Sequence, residues 1–124
     1  PLPLFNRGSA ELARARAELE RAEAGRSAAA LEFDDALAGA RVALIDAQEA
    51  AASANGPELA AAREAARIAR IGYAEGKFPQ LDLIEAERQL SHTQDAAIDA
   101  LAALHDARAR LARLLGSADP LYKD

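Results

Sequence analysis

Apolar residues recur at helical spacing along the first half of the chain. One stripe steps alternately by four and three residues, through Phe33, Leu37, Ala40, Leu44, Ala47 and Ala51. Leu12 and Leu19 extend this stripe upstream at seven-residue intervals, although Arg26 interrupts it. Because this is the spacing of one apolar face of an α-helix, the pattern predicts a long helix that begins at residue 9.

Residues 1–8 are predicted to lead into this helix as an extended segment. The prolines of this segment disfavour helical geometry in the residues that precede them. Asn6 or Ser9 is then the expected helix cap, because either side chain can accept a hydrogen bond from a free N–H group of the first turn.

The apolar stripe changes phase at Asn55-Gly56-Pro57. Beyond this point the stripe runs through Leu59, Ala62, Ala66, Ala69 and Tyr73. An uninterrupted stripe would continue through positions 58, 61 and 65, so the phase slips by one residue. Either a turn between two helices or a kink within one helix over residues 9–75 explains the slip, since proline both begins helices and bends them.

A stronger turn follows at Gly72–Pro79. Gly76 suits a helix C-cap and Pro79 suits the start of the next helix. The helix predicted for residues 80–115 carries a seven-residue repeat: Leu83, Leu90, Ala97, Leu104 and Leu111, flanked by Leu101 and Leu115. Gly116 and Ser117 are expected to stop it, which leaves residues 116–124 as a loose tail. The fold class is therefore all-α, a long antiparallel coiled-coil hairpin that turns at residues 76–79, with either a kink or a turn near 55–57.

The two predicted arms differ in length. A single helix over residues 9–75 would span roughly 100 Å, and residues 80–115 would span about 54 Å. Hydrophobic residues make up 51% of the 124 residues, and most of them are alanine. Burial yields about 25 cal/mol per Å², so alanine contributes little. We therefore expect other subunits or further chain to cover the longer arm.

Charge and residue types exclude several classes of function. The net charge is −5 and the chain has no cysteine. Opposite charges lie at helical spacing, as in Glu11/Arg14 and Glu18/Arg21, which is typical of a solvated helix surface.

The sequence contains no basic stripe with interleaved aromatic residues, so nothing in it indicates nucleic-acid binding. No catalytic set or phosphate loop is visible, so we expect neither enzyme activity nor a cofactor. No apolar stretch approaches the ~20 residues of a membrane helix, and no signal peptide is visible, although one could have been removed before Pro1.

Three segments together resemble the outer membrane efflux proteins of the TolC type. The first is Pro1–Gly8, PLPLFNRG, followed by a helix rich in Ala, Glu and Arg. The second is Gly72–Leu90, GYAEGKFPQLDLIEAERQL, and the third is Leu111–Gly116, LARLLG. The Leu-Phe-Asn-Arg and Glu-Gly-Lys-Phe sequences look most like the heavy-metal branch of that family, which exports cobalt, zinc and cadmium or copper.

This resemblance implies a fold and a location. Such proteins are trimers with a β-barrel in the outer membrane and a tunnel of long helices, a trimeric α-barrel, in the periplasm. The segment after the last membrane strand is one very long helix, which favours a kink at Gly56 over a turn. On this reading the chain is the C-terminal periplasmic hairpin and meets the membrane only through a β-barrel absent from this segment. Its partners are two more copies of itself, a periplasmic adaptor and an inner-membrane pump.

The resemblance also implies a docking site for the adaptor. The candidates surround the predicted tip: Gly72, Tyr73, Gly76, Lys77 and Phe78. Gly72 and Gly76 could be small because an adaptor helix packs closely on them. Three of the five candidates also have a plainer explanation. Gly76 could serve only as a C-cap, Tyr73 could continue the packed stripe, and Lys77 could be a solvated charge.

Acidic residues and histidines on the return helix give weaker candidates. Asp82 and Glu85 could form a negative ring at the tunnel entrance that favours cations, or could simply oppose the helix dipole. A second group, placed roughly opposite the stripe of Leu90, Ala97 and Leu104, could hold a divalent ion: His92, Asp95 and Asp99. A solvated face predicts the same residues, so we expect no metal site. His105 lies beside this stripe, and we expect it to pack.

Two other functions stay open at this point. The chain could be the coiled-coil hairpin of a periplasmic adaptor protein, which would continue into β-rich modules on both sides. It could instead be a stand-alone three-helix interaction module that turns at Gly56 and again at Gly76.

Overall fold

The structure, a computed structural model, describes residues 3–118, with side chains described for residues 6–117. It contains three helices in this range: α1 (Pro3–Asn55), α2 (Pro57–Ala74) and α3 (Gln80–Ala118). No strand occurs among these residues, and α2 packs against α3. The prediction of an all-α helical hairpin is confirmed.

The chain divides into two units, Pro1–Ala38 and Gly39–Asp124, and α1 crosses the boundary. In the first unit every described side chain from residue 6 to residue 32 is exposed, including Leu12 and Leu19. The second unit holds the hairpin, in which the end of α1 and all of α2 form one arm and α3 forms the other.

Alanine dominates the interior of the second unit. Among the described residues of this unit, the buried hydrophobic ones are Ala40, Ala51, Ala54, Leu59, Ala62, Ala66, Ala69, Leu90 and Ala97. We call this row of buried residues the seam. Leu83, Leu104 and Leu111 are half-buried in the same seven-residue repeat, so the repeat predicted for α3 is confirmed. Leu101 and Leu115, which flank that repeat, are exposed.

The structure resolves the ambiguity at Asn55-Gly56-Pro57 as a kink. Gly56 is the one residue between α1 and α2, with φ −105° and ψ −105°. Ala54 and Leu59 lie on either side of it, yet both belong to one buried cluster with Leu90 and Ala97 of α3. The chain therefore bends here without reversing. The predicted phase slip is also confirmed, because the seam steps by five residues from Ala54 to Leu59.

Two predicted boundaries are wrong. Residues 3–8 are helical instead of extended, because the first N–H groups of a helix have no partner within it and Pro3 therefore gives up no hydrogen bond. Ser9 does not cap the helix, since its Oγ donates to the carbonyl of Asn6, 3.1 Å away. At the other end Gly116 and Ser117 continue α3. The predicted tail beyond Ala118 lies outside the described residues.

The seam predicts that two leucines of α3 contribute very differently to the stability of the hairpin. Leu90 is 8% exposed and Leu101 is 49% exposed. We expect Leu90→Ala to lower the free energy of unfolding by about 2–3 kcal/mol, because it removes buried methyl groups and leaves a cavity. Leu101→Ala is the matched control and should change it by less than about 0.5 kcal/mol. Urea unfolding followed by circular dichroism measures both, and equal losses would contradict the seam.

Candidate functional site

The turn between α2 and α3 is held by backbone hydrogen bonds. We call residues 75–79 the tip turn. Gly76 has φ +71°, the left-handed conformation that glycine adopts without strain. Its N–H donates to the carbonyl of Tyr73 (3.0 Å), and the N–H of Lys77 donates to the carbonyl of Gly72 (2.7 Å). These two bonds define a Schellman motif, so the C-cap role predicted for Gly76 is confirmed.

The tip turn leads directly into α3. Pro79 immediately precedes the helix, and its carbonyl accepts a hydrogen bond from the N–H of Asp82 (3.1 Å). The start of α3 at Gln80 agrees with the predicted boundary. The direction of the return arm is therefore set within five residues of the end of α2.

The ring of Phe78 lies against the backbone of Gly72. A Cβ atom added to Gly72 would stand 2.8 Å from Phe78 Cγ and closer still to the ring edge. The Phe78 N–H also donates to the Gly72 carbonyl (3.1 Å). Position 72 therefore has no room for a larger residue, because the Phe78 ring of the same hairpin occupies the space that a Cβ atom would need. Sequence reasoning missed this contact and considered only an adaptor helix at that place.

Gly72 also corrects the prediction for Tyr73. The seam reaches position 72, where the glycine is buried, and Tyr73 is 43% exposed. The prediction that Tyr73 continues the packed stripe is wrong, because the last step along α2 is three residues and not four. The exposed Tyr73 ring is available to another molecule.

Apolar and charged side chains surround a shallow groove beside the tip turn. The groove has a volume of about 300 Å³ and is lined by Arg67, Ile68, Ile71, Gly72, Glu75, Lys77 and Phe78. Lys77 Nζ lies 2.6 Å from Glu75 Oε2, and both side chains are largely exposed. Lys77 is thus a solvated charge paired within the turn. The groove can receive an apolar side chain at its floor and polar groups at its rim.

An ion pair ties the two arms together near the tip. Arg70 donates from Nε and Nη2 to the two carboxylate oxygens of Glu87, and the second bond measures 2.9 Å. The hydrogen bonds and the charge of Arg70 hold the pKa of Glu87 below its ordinary value, and Glu87 raises the pKa of Arg70. Both side chains are solvated, so the pair contributes more to geometry than to stability.

The remaining candidates stay apart from the tip groove. Asp82 and Glu85 are exposed, and Asp82 lies in the first turn of α3, where a carboxylate opposes the helix dipole. His92, Asp95 and Asp99 are exposed on α3, and within residues 6–117 no three such side chains form a group that could hold a metal ion. His105 is exposed as well, so the packing role expected for it is wrong.

The geometry of the tip turn predicts that two glycine substitutions change the stability of the hairpin in opposite directions. Gly76→Ala should lower the free energy of unfolding by about 1–2 kcal/mol, because alanine resists the left-handed conformation. Gly116→Ala is the control, since Gly116 is helical and nothing lies near its missing Cβ. It should raise stability by about 0.5–1 kcal/mol. Chemical unfolding of both variants tests this, and equal effects would contradict the Schellman motif.

Comparison with known proteins supplies the identity that the hairpin alone does not. A family model described as Outer membrane efflux protein matches residues 1–117. No curated protein and no solved structure matches the chain. Within the part of the chain that the structure describes, no helix combines the length and the apolar character needed to cross a bilayer. By its family match over nearly the whole sequence, this chain belongs to the outer membrane efflux proteins, which are efflux channel proteins and not enzymes.

Proposed function

We propose that this chain forms part of the periplasmic wall of an efflux tunnel and that its tip turn docks the adaptor of a tripartite pump. The family match supports a role in an outer membrane efflux channel. The observation that carries the docking role is the tip itself, a hydrogen-bonded turn beside a groove of apolar and charged side chains, with Tyr73 and Phe78 exposed.

The structure of the tip suits a docking surface. Its backbone is fixed by the Schellman motif and by the contact between Gly72 and Phe78, so little conformational entropy is lost when a partner binds. Phe78 is 39% exposed, and a half-exposed aromatic ring beside a groove is a typical anchor for a protein partner. In this proposal the partner inserts an apolar side chain beside Phe78 and pairs polar groups with Lys77.

Exposed apolar residues elsewhere support assembly with other helices. They include Leu12, Leu19, Leu31, Val42, Ile45, Ile98 and Leu101. Exposed large apolar side chains in such number indicate surfaces that pack against neighbours. In the proposed channel those neighbours are the other copies of a trimer and the remaining chain of each subunit.

The finer proposals concern the cargo. The Leu-Phe-Asn-Arg and Glu-Gly-Lys-Phe sequences support export of heavy-metal ions such as cobalt, zinc, cadmium or copper. Asp82 and Glu85 lie exposed at the start of α3, next to the tip turn. In a trimer their carboxylates would form a negative ring at the tunnel entrance and would favour cations.

The two alternatives have less support. A stand-alone three-helix module requires the chain to reverse at Gly56, and Ala54 and Leu59 instead share one side of the hairpin. An adaptor hairpin does not agree with a family model of outer membrane efflux proteins that matches 117 residues of the chain.

Site-specific photocrosslinking in cells tests the docking proposal. A photoreactive amino acid at Tyr73 should crosslink to the periplasmic adaptor, because this exposed ring borders the tip. The control is the same amino acid at Leu12, which is similarly exposed in the first unit and should give no adaptor crosslink. Crosslinks of equal yield at both positions, or at Leu12 alone, would refute docking at the tip.

Growth assays test the cargo in the same cells. Phe78→Ala removes the anchor and should lower tolerance to the exported metal ion by about tenfold, while the amount of protein in the outer membrane stays unchanged. Unchanged tolerance to each of the four metals, with organic toxins affected instead, would show that heavy metals are not the cargo.

A further inference from the structure

The regular pattern of helical hydrogen bonds is interrupted at the bend between α1 and α2. Pro57 has no N–H group, so it cannot donate to the carbonyl of Ser53. That carbonyl instead accepts a longer bond from the N–H of Gly56 (3.3 Å), and helical bonding resumes with the N–H of Ala60 donating to Gly56 (3.1 Å). Gly56 therefore belongs to neither helix. This one additional residue explains why Ala54 and Leu59, which follow each other in the seam, are five residues apart instead of three or four.

This additional residue decides which face of α2 is buried. In the observed register the seam runs through Leu59, Ala62, Ala66 and Ala69. A straight helix would rotate α2 by about 100°, the angle of one residue. The face it would bury is also largely apolar: Glu58, Ala61, Ala65 and Ile68. The helix α2 therefore carries two neighbouring stripes, either of which could pack on α3.

The two registers differ in what they bury. The observed one buries Leu59 and leaves Glu58 exposed, where its carboxylate accepts a hydrogen bond from Ser53 Oγ across the bend (2.8 Å). The straight one would bury that carboxylate, which is unfavourable, but it would exchange Ala69 for the larger Ile68. Burial of the carboxylate outweighs the gain from Ile68, so packing favours the observed register, and the residues of the bend set how strongly it is favoured.

Asn55 connects the bend to the opposite arm. Its Nδ2 donates to the carbonyl of Ala51 in its own helix (3.0 Å) and to the carbonyl of Ala97 in α3 (3.2 Å). The second bond spans 42 residues of sequence and joins the Asn55 side chain to the backbone of Ala97, a residue of the seam. Gly56 also has no room for a side chain, since a Cβ there would stand 2.8 Å from the Ala52 carbonyl oxygen.

We propose that Asn55, Gly56 and Pro57 form a register switch, a bend that holds α2 in one of two rotational positions on α3. Asn55 stabilises the observed position through its hydrogen bond to α3. Straightening the bend turns the Ala61/Ala65/Ile68 stripe towards α3 and the Leu59/Ala66/Ala69 stripe outward. Asn55 is a positioning residue in this device, because it acts by holding the bend in place.

Alkylation of single cysteines tests the switch, since the chain contains no cysteine of its own. Ala66 is 0% exposed and its neighbour Ala65 is exposed. With the bend intact, Ala65→Cys should react with a maleimide at least about tenfold faster than Ala66→Cys, because only accessible thiols react. Combined with Gly56→Ala and Pro57→Ala, the order of the two rates should reverse.

Asn55→Ala provides the second arm of the test. Loss of its hydrogen bond to α3 should lower the ratio of the two rates by about fivefold. Ala97→Cys in α3 is the control and should stay slow throughout. An unchanged ratio in either background would overturn the proposal. If the double substitution unfolds the hairpin, seen as loss of helical circular dichroism, the ratio in Asn55→Ala decides alone.

Discussion

Close packing of small side chains along the seam is the constraint on which the hairpin depends. Alanine contributes little apolar area for each residue, so the two arms gain stability only if their backbones approach closely over many turns. Ala66 is fully buried and Ala97 nearly so, which shows how closely the arms approach in the middle of α2 and α3. Leu59 and Leu90 add larger contacts to the same cluster. A bulky or charged residue in place of any of the seam alanines would separate the arms locally.

The tip and the bend both follow from this constraint. At the tip, Gly72 continues the seam and leaves room for Phe78 to cover the end of the hairpin. At the bend, Gly56 absorbs one residue so that Leu59 and not Glu58 meets α3. Glycine serves a different purpose at each place. Gly76 supplies a left-handed conformation, whereas Gly72 and Gly56 supply space.

The sequence predicted the hairpin well because periodicity reports directly on burial. The seven-residue repeat of α3, the phase slip at Gly56 and the C-cap at Gly76 all follow from local patterns, and all are confirmed. The helical ends were missed because proline and glycine are ambiguous near termini: Pro3 fits a first turn as well as an extended segment, and Gly116 is tolerated within α3. The contact of Phe78 with Gly72 could not be read from spacing, since it depends on how the turn folds back. The exposure of Tyr73 was missed because steps of three and four are equally helical.

Amide hydrogen exchange along the chain tests most directly whether the seam stabilises these helices. All three helices have backbone hydrogen bonds, but among residues 6–117 the buried side chains all lie in the second unit. Exchange should therefore be slowest around Ala51–Ala69 and Leu90–Ala97, on both sides of the bend, and much faster in residues 6–32. Equally slow exchange over residues 6–32, or fast exchange throughout α2, would contradict the account.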